Sequence, residues 1–135
     1  MDRRFELLEH TADVGFRAFG SAPAELFENA ARALLSFTDG ETEPNETRTL
    51  EIGGEDYESL LINWLSELLY LFDSGEFAFR TPVVGEISPR FLRARIEGNP
   101  RTRESWRLIV KAVTYHQIEV REVGGHWEAT VYLDV

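Results

Sequence analysis

Two stretches of the chain repeat their hydrophobic residues at helical spacing. The first starts at Ser21-Ala22-Pro23, where a capping hydroxyl is followed by a proline in the first turn, and should run to about Phe37. The second follows the capping residue Asp56 and should stop at Gly75. Its apolar stripe is wide enough to be core rather than a ligand site, and comprises Leu60, Leu61, Trp64, Leu65, Leu68, Leu69 and Phe72.

Most of the remaining hydrophobic segments have the composition and alternation of strands. Strands are predicted at 5–8, 14–19, 47–52, 77–79, 83–87, 91–97, 106–115, 117–123 and 127–133. Gly124-Gly125 predicts a two-residue hairpin turn between the last two. Two amphipathic helices and many short strands favour an α+β fold: a single two-layer domain, residues 1–135, with a mostly antiparallel sheet packed against two main helices.

Composition restricts the classes of function. No segment has the length of a membrane span or the layout of a signal peptide, so a cytoplasmic location is expected. The absence of cysteine excludes disulfides, thiolate metal sites and cysteine nucleophiles. The formal charge of −10 repels phosphate backbones, so tight direct RNA binding is not expected. Eight acidic residues between 39 and 58 are expected to form a solvated loop and helix start rather than a docking surface.

Carboxylates near both ends of the chain are candidate metal ligands. Asp13 follows His10 in the polar connection between the first two strands, where an aspartate more commonly caps backbone amides. Alternation up to Leu133 predicts an ordered C-terminal strand, which would bring the Asp134 side chain near the α-carboxylate of Val135. Two such anionic groups repel each other unless a cation lies between them or water solvates them, and both alternatives stay open.

Lys111 is the only lysine among fourteen basic residues, and it stands in a predicted strand with apolar neighbours. One interpretation is an edge residue whose aliphatic stem lies along the apolar surface while its charged group reaches water. The other is a functional position that requires a compact ammonium group and does not accept a guanidinium. Tyr115 and His116 follow it and are expected to be core groups with satisfied polar tips. The chain has no glycine-rich phosphate loop, nucleophile elbow or zinc-ligand spacing.

Four separated blocks resemble the archease family. They are LEHTADVGFRAFG at 8–20, LINWLSELLYLFD at 61–73, VKAVTYH at 110–116 and LDV at 133–135, and together they span essentially the whole chain. One departure is visible, because many relatives carry a histidine and an acidic residue before the lysine, whereas 101–109 reads RTRESWRLI. That departure bears on details of partner docking and leaves the metal-site positions intact.

The resemblance implies an accessory protein rather than an enzyme. Its partner would be a GTP-dependent tRNA-splicing RNA ligase, whose guanylylation and multiple turnover it would promote. Asp13, Asp134 and Val135 fall on the family's metal-site positions, and Lys111 falls on the lysine associated with activation of the partner. The implied cofactor is a divalent cation, with Ca²⁺ expected and Mg²⁺ or Mn²⁺ as alternatives.

Two other functions compete with this one. The first is a stand-alone divalent-metal-dependent hydrolase acting on a phosphorylated substrate, with His10 or His116 as its base. The second is a metal-free adaptor that recruits partners through the acidic residues 39–58. The sequence leaves open the physiological cation, the oligomeric state, the docking geometry and whether other RNA-modifying enzymes are partners.

Overall fold

Seven strands and two helices make up the part of the chain that the computed structural model describes, which is residues 3–9, 14–38, 43–100 and 108–135. In chain order they are β1 (Phe5–Glu9), β2 (Val14–Gly20), α1 (Pro23–Leu35), β3 (Glu46–Gly53), α2 (Tyr57–Asp73), β4 (Phe77–Ser88), β5 (Phe91–Pro100), β6 (Ala112–Val123) and β7 (His126–Asp134). The predicted α+β class is confirmed. Neither helix has both the length and the apolar character needed to cross a membrane.

The strands form two sheets, and every pairing is antiparallel. β1-β2-β7-β6 form a four-stranded sheet, and β3-β5-β4 form a three-stranded sheet. The separate strands predicted at 77–79 and 83–87 are one strand, β4, in which Pro82 is paired with Ile96. The prediction of a break was wrong because β4 is an edge strand, where a proline without an N–H donor is tolerated.

A second pair of predicted strands also forms one irregular strand. β6 runs through Ala112–Val123 as a single element, with a register shift between Thr114 and Glu119 where Gln117 has a φ of 54°. Residues 108–111, predicted to be strand, instead precede β6, and 106–107 lie outside the described residues. The hairpin at Gly124-Gly125 is confirmed, since both glycines have positive φ, at 58° and 85°.

The helix ends follow local side-chain chemistry. At the start of α2, the Ser59 N–H donates to Asp56 Oδ1 at 2.8 Å and the Asp56 N–H donates to Ser59 Oγ at 3.2 Å, a reciprocal capping box. The prediction that the Ser21 hydroxyl caps α1 was wrong. The N-cap is Ala22, and the Ser21 N–H instead donates to Glu25 Oε1 at 2.7 Å.

One hydrophobic cluster joins both helices to both sheets. All seven predicted stripe residues of α2 are buried. Trp64 on α2 is fully buried, and its Nε1–H donates to the Phe27 carbonyl oxygen of α1 at 3.0 Å. This bond satisfies the only polar atom of the indole side chain and fixes the two helices against each other. The core therefore holds the four-stranded sheet in place beneath the helices.

Candidate functional site

The strand pairing brings the predicted site residues toward one end of the four-stranded sheet. Glu9 pairs with Val14, Val14 with Leu133, and Leu133 with Val113, so these four residues form one row across the sheet. This row is called the Val14 end below. The β1–β2 connection, the end of β7 and the start of β6 all adjoin it.

The C-terminus is ordered at the Val14 end, as predicted. Asp134 is the last residue of β7 and is paired with Ala112. Val135 is partly buried and packs against the core, whereas Asp134 is exposed. Packing of the last side chain holds the chain end in place, and the Asp134 carboxylate faces solvent.

Lys111 lies beside this chain end. Its backbone N–H donates to the Asp134 carbonyl oxygen at 2.7 Å, immediately before β6 begins. The expectation that Lys111 lies within an apolar strand was wrong: Val110 is fully buried, but Ile109 is 63% exposed, and both Lys111 and Ala112 are exposed. Within the described ranges, the Lys111 side chain forms no ion pair.

The other predicted site residues in this region, His10 and Asp13, lie outside the described residues. Val14, the residue after Asp13, is paired with Leu133, the residue before Asp134. The structure thus brings Lys111, Asp134 and Val135 together at the Val14 end. No cluster of three or more histidine, aspartate or glutamate side chains suited to a metal occurs among residues 3–9, 14–38, 43–100 and 108–135.

Tyr115 and His116 are exposed, so the expectation that they are core groups was wrong. Tyr115 is 61% exposed, because the irregularity between Thr114 and Glu119 takes these residues out of the regular alternation of β6. The His116 ring contacts the Tyr132 ring edge-on, with the ring centroids 6.0 Å apart. The Thr114 hydroxyl donates to the Tyr132 carbonyl oxygen at 3.1 Å.

Gly15 and Tyr132 are structural components of the Val14 end that the sequence analysis missed. They are paired across β2 and β7, and a Cβ at Gly15 would lie 2.7 Å from Cδ1 of Tyr132. Only glycine lets the tyrosine ring lie this close to the β2 backbone. Tyr132 is two residues before Asp134 and projects from the same face of β7. A glycine inside a strand pattern is the signal that would have indicated this close approach.

Comparison with known proteins identifies relatives over nearly the whole chain. Residues 5–135 match the model of the Archease protein family (MTH1598/TM1083). The protein archease of Methanosarcina mazei is 40% identical, over 98% of this chain and 97% of the relative. The protein archease of Pyrobaculum neutrophilum is 36% identical, over 94% and 92%.

Two solved structures share this architecture. The solution structure of Methanobacterium thermoautotrophicum protein 1598 superposes with a TM-score of 0.80 at 35% identity, covering 98% of this chain and 99% of that one. The crystal structure of a Thermotoga maritima protein described as an archease and possible chaperone has a TM-score of 0.69 at 21% identity, with 96% of each chain covered, and supports the fold alone. The family match and the full-length relatives together show that this chain belongs to the archease protein family.

Proposed function

We propose that this protein activates a GTP-dependent tRNA-splicing RNA ligase, promoting its guanylylation and multiple turnover, and that it is not itself an enzyme. The observation that carries the proposal is the placement of Lys111 beside Asp134, joined by a 2.7 Å backbone hydrogen bond.

The surroundings of Lys111 fix its backbone and leave its side chain accessible. Val110 before it is fully buried and Val113 after it is nearly so, which anchors both flanks in the core. The Lys111 N–H is bonded to β7, but the residue itself is exposed. A four-carbon stem on a fixed backbone can carry an ammonium group to the ligase or to its nucleotide phosphates.

The donor groups assigned to the Val14 end fit a hard divalent cation. Asp13, Asp134 and the α-carboxylate of Val135 would hold it, and oxygen donors of this kind suit Ca²⁺ first, with Mg²⁺ and Mn²⁺ as alternatives. Within the described ranges the Asp134 side chain has no hydrogen-bond or ion-pair partner, so it is available as a ligand. A bound cation would supply the positive charge that offsets repulsion among these carboxylates.

The charge of the chain supports a protein partner over direct RNA binding. With 24 acidic and 14 basic residues, the protein repels a phosphate backbone and gains no steering toward RNA. Contact with RNA would therefore be made by the ligase, with this protein acting beside it in the cytoplasm.

The proposal is tested with purified ligase from the same source and an excess of RNA ends. Ligated RNA per ligase molecule is measured with and without this protein, and the ligase–GMP adduct is measured in parallel. The expected result is more than one turnover per ligase, and faster adduct formation, only when the protein is present. No effect on either quantity would overturn the proposal. Metal-dependent cleavage of a phosphorylated substrate by this protein alone, abolished in Asp13→Ala, would favour the hydrolase function instead.

A further inference from the structure

A cavity lies at the end of the four-stranded sheet opposite the Val14 end, away from the residues assigned to ligase activation. Its volume is about 390 Å³, within the range of small-molecule sites. Its walls come from the residues before β1, the end of β2, one side of α1 from its first turn to its last, and the start of β7. Gly20 in this wall is six residues along β2 from Val14, which is roughly 20 Å at the rise of a strand. This cavity is called the arginine cleft below.

The arginine cleft concentrates basic groups in an acidic protein. Arg3, Arg4, Arg32 and His126 all line it, although the whole chain carries a charge of −10. Within the described ranges, neither Arg4 nor Arg32 forms an ion pair with a carboxylate. Arg32 Nη1 donates only to a neutral acceptor, Asn29 Oδ1, at 2.9 Å.

The two carboxylates that line the cleft are bonded to the protein backbone instead. Glu25 Oε1 accepts from the Ser21 N–H at 2.7 Å, and Glu28 Oε2 accepts from the Val84 N–H at 2.8 Å. Neither forms an ion pair with the cleft arginines among the described residues. The guanidinium groups of Arg4 and Arg32 therefore keep most of their donors for an incoming anion.

The walls of the cleft are fixed by buried contacts. Asn29 is 5% exposed, and its Nδ2 donates to the Phe19 carbonyl oxygen at 2.7 Å, which ties α1 to the end of β2. A Cβ at Gly20 would collide with the backbone nitrogen of Leu26, so strand and helix meet here without an intervening side chain. The Arg3 guanidinium lies 4.8 Å from the centroid of the Phe19 ring and is paired with Glu6 at 2.8 Å. The cavity is thus formed before any ligand enters.

We propose that the arginine cleft binds a small phosphorylated anion, with Arg4 and Arg32 as the principal donors. A phosphate group offers three strong acceptor oxygens and close to two negative charges, so it can engage more than one guanidinium fork. A single carboxylate has two oxygens and occupies one fork. Two unpaired arginines around a preformed cavity therefore match phosphate better than carboxylate. This site is independent of the Val14 end and of its proposed cation.

The experiment is titration calorimetry with inorganic pyrophosphate in metal-free buffer, so that binding at the Val14 end does not contribute. Parent protein should bind, and Arg4→Gln and Arg32→Gln should each weaken binding roughly tenfold, the loss expected for one charge-assisted contact. The matched control is Arg95→Gln, which removes one exposed arginine from β5 and should leave the affinity unchanged. Malonate, a dicarboxylate of similar span, should bind roughly tenfold more weakly than pyrophosphate.

Several outcomes would overturn the proposal. These are absence of pyrophosphate binding by the parent protein, equal affinity in parent and in the Arg4→Gln/Arg32→Gln double variant, and an equal loss in Arg95→Gln. Malonate binding as tight as pyrophosphate binding would refute the phosphate assignment. Weaker binding by Arg4→Gln is not expected to come from misfolding, because the exposed Arg4 side chain makes no hydrogen bond to the described residues. Unchanged far-ultraviolet circular dichroism checks that the fold is intact.

Discussion

Charged side chains are arranged differently on the three-stranded sheet and at the Val14 end of the four-stranded sheet. On the three-stranded sheet, Arg93 bridges two acids, with Nη2 2.7 Å from Glu51 Oε2 and Nη1 2.8 Å from Glu86 Oε1. The hydrogen bonds that Arg93 donates to Glu51, together with the negative charges of Glu86 and Glu51, raise the pKa of Arg93. At the Val14 end, Lys111 and Asp134 are neighbours through the backbone, yet their side chains form no ion pair with each other. Charged side chains that form ion pairs with each other have few donors or acceptors left for a ligand. Neighbouring charged side chains without ion pairs keep theirs available for binding.

The largest effect is expected from a substitution in the proposed cation site, which leaves the ion pairs of Arg93 intact. Asp13→Asn should weaken binding of Ca²⁺ by tenfold or more, because a hard cation loses a charged oxygen ligand and keeps only a neutral one. Calorimetry with Ca²⁺, Mg²⁺ and Mn²⁺ measures this, and Glu76→Gln, an exposed acid between α2 and β4, is the matched control. Identical titrations for parent and Asp13→Asn would remove Asp13 from the proposed site.

A smaller effect is expected from a substitution that disturbs the close packing of Gly15 against Tyr132 at the Val14 end. Gly15→Ala places a Cβ 2.7 Å from Cδ1 of the Tyr132 ring and 3.0 Å from the Val131 carbonyl oxygen, so the ring or the β7 backbone must shift. We expect a loss of about 1–3 kcal/mol in the free energy of unfolding, the usual cost of overpacking. Urea unfolding measures it, with Gly85→Ala as control because a Cβ there meets only ordinary contact distances. Equal unfolding midpoints for Gly15→Ala and parent would show that Tyr132 moves away freely.

The smallest effect is expected where the charges are already paired. Arg93→Gln removes two exposed ion pairs, which contribute little because water and salt screen them. Its urea midpoint should stay close to that of the parent, and ligase turnover should be unchanged. If Arg93→Gln reduced turnover as much as a substitution of Lys111 did, the distinction between the paired charges around Arg93 and the charges at the Val14 end would fail.

Features that depend on neighbouring residues could be predicted from the sequence. The cap at Asp56, the stop at Gly75 and the hairpin at Gly124-Gly125 each follow from the conformational preferences of one or two residues. The division into two sheets was not predictable in this way, because it depends on which distant strands pair. The exposure of Tyr115 was missed because the irregularity near Gln117 has no local sequence signature.

The candidate site shows the same limit. Lys111 and Asp134 were singled out by composition, position and family resemblance, but their adjacency arises from the pairing of β6 with β7. The arginine cleft was missed because its basic residues come from three distant parts of the sequence and meet only in the folded chain: Arg3 with Arg4, Arg32, and His126. Periodicity predicts which face of an element is buried, and it does not predict which surface residues converge.

The central claim is that Lys111 activates the ligase. The most direct test changes the chemical nature of the charged group at position 111. A site shaped for a compact ammonium would not fit the wider, planar guanidinium, so Lys111→Arg should fold, bind the cation and bind the ligase, yet lose most of its ability to restore multiple turnover. Ligated RNA per ligase molecule is measured under excess substrate with parent, Lys111→Arg, Lys111→Ala and the control Arg95→Ala at equal concentrations. Among the variants, only Arg95→Ala is expected to support turnover at the parent level, as the central claim requires. Turnover by Lys111→Arg equal to that of the parent would contradict it, because the lysine would then act only as a positive charge.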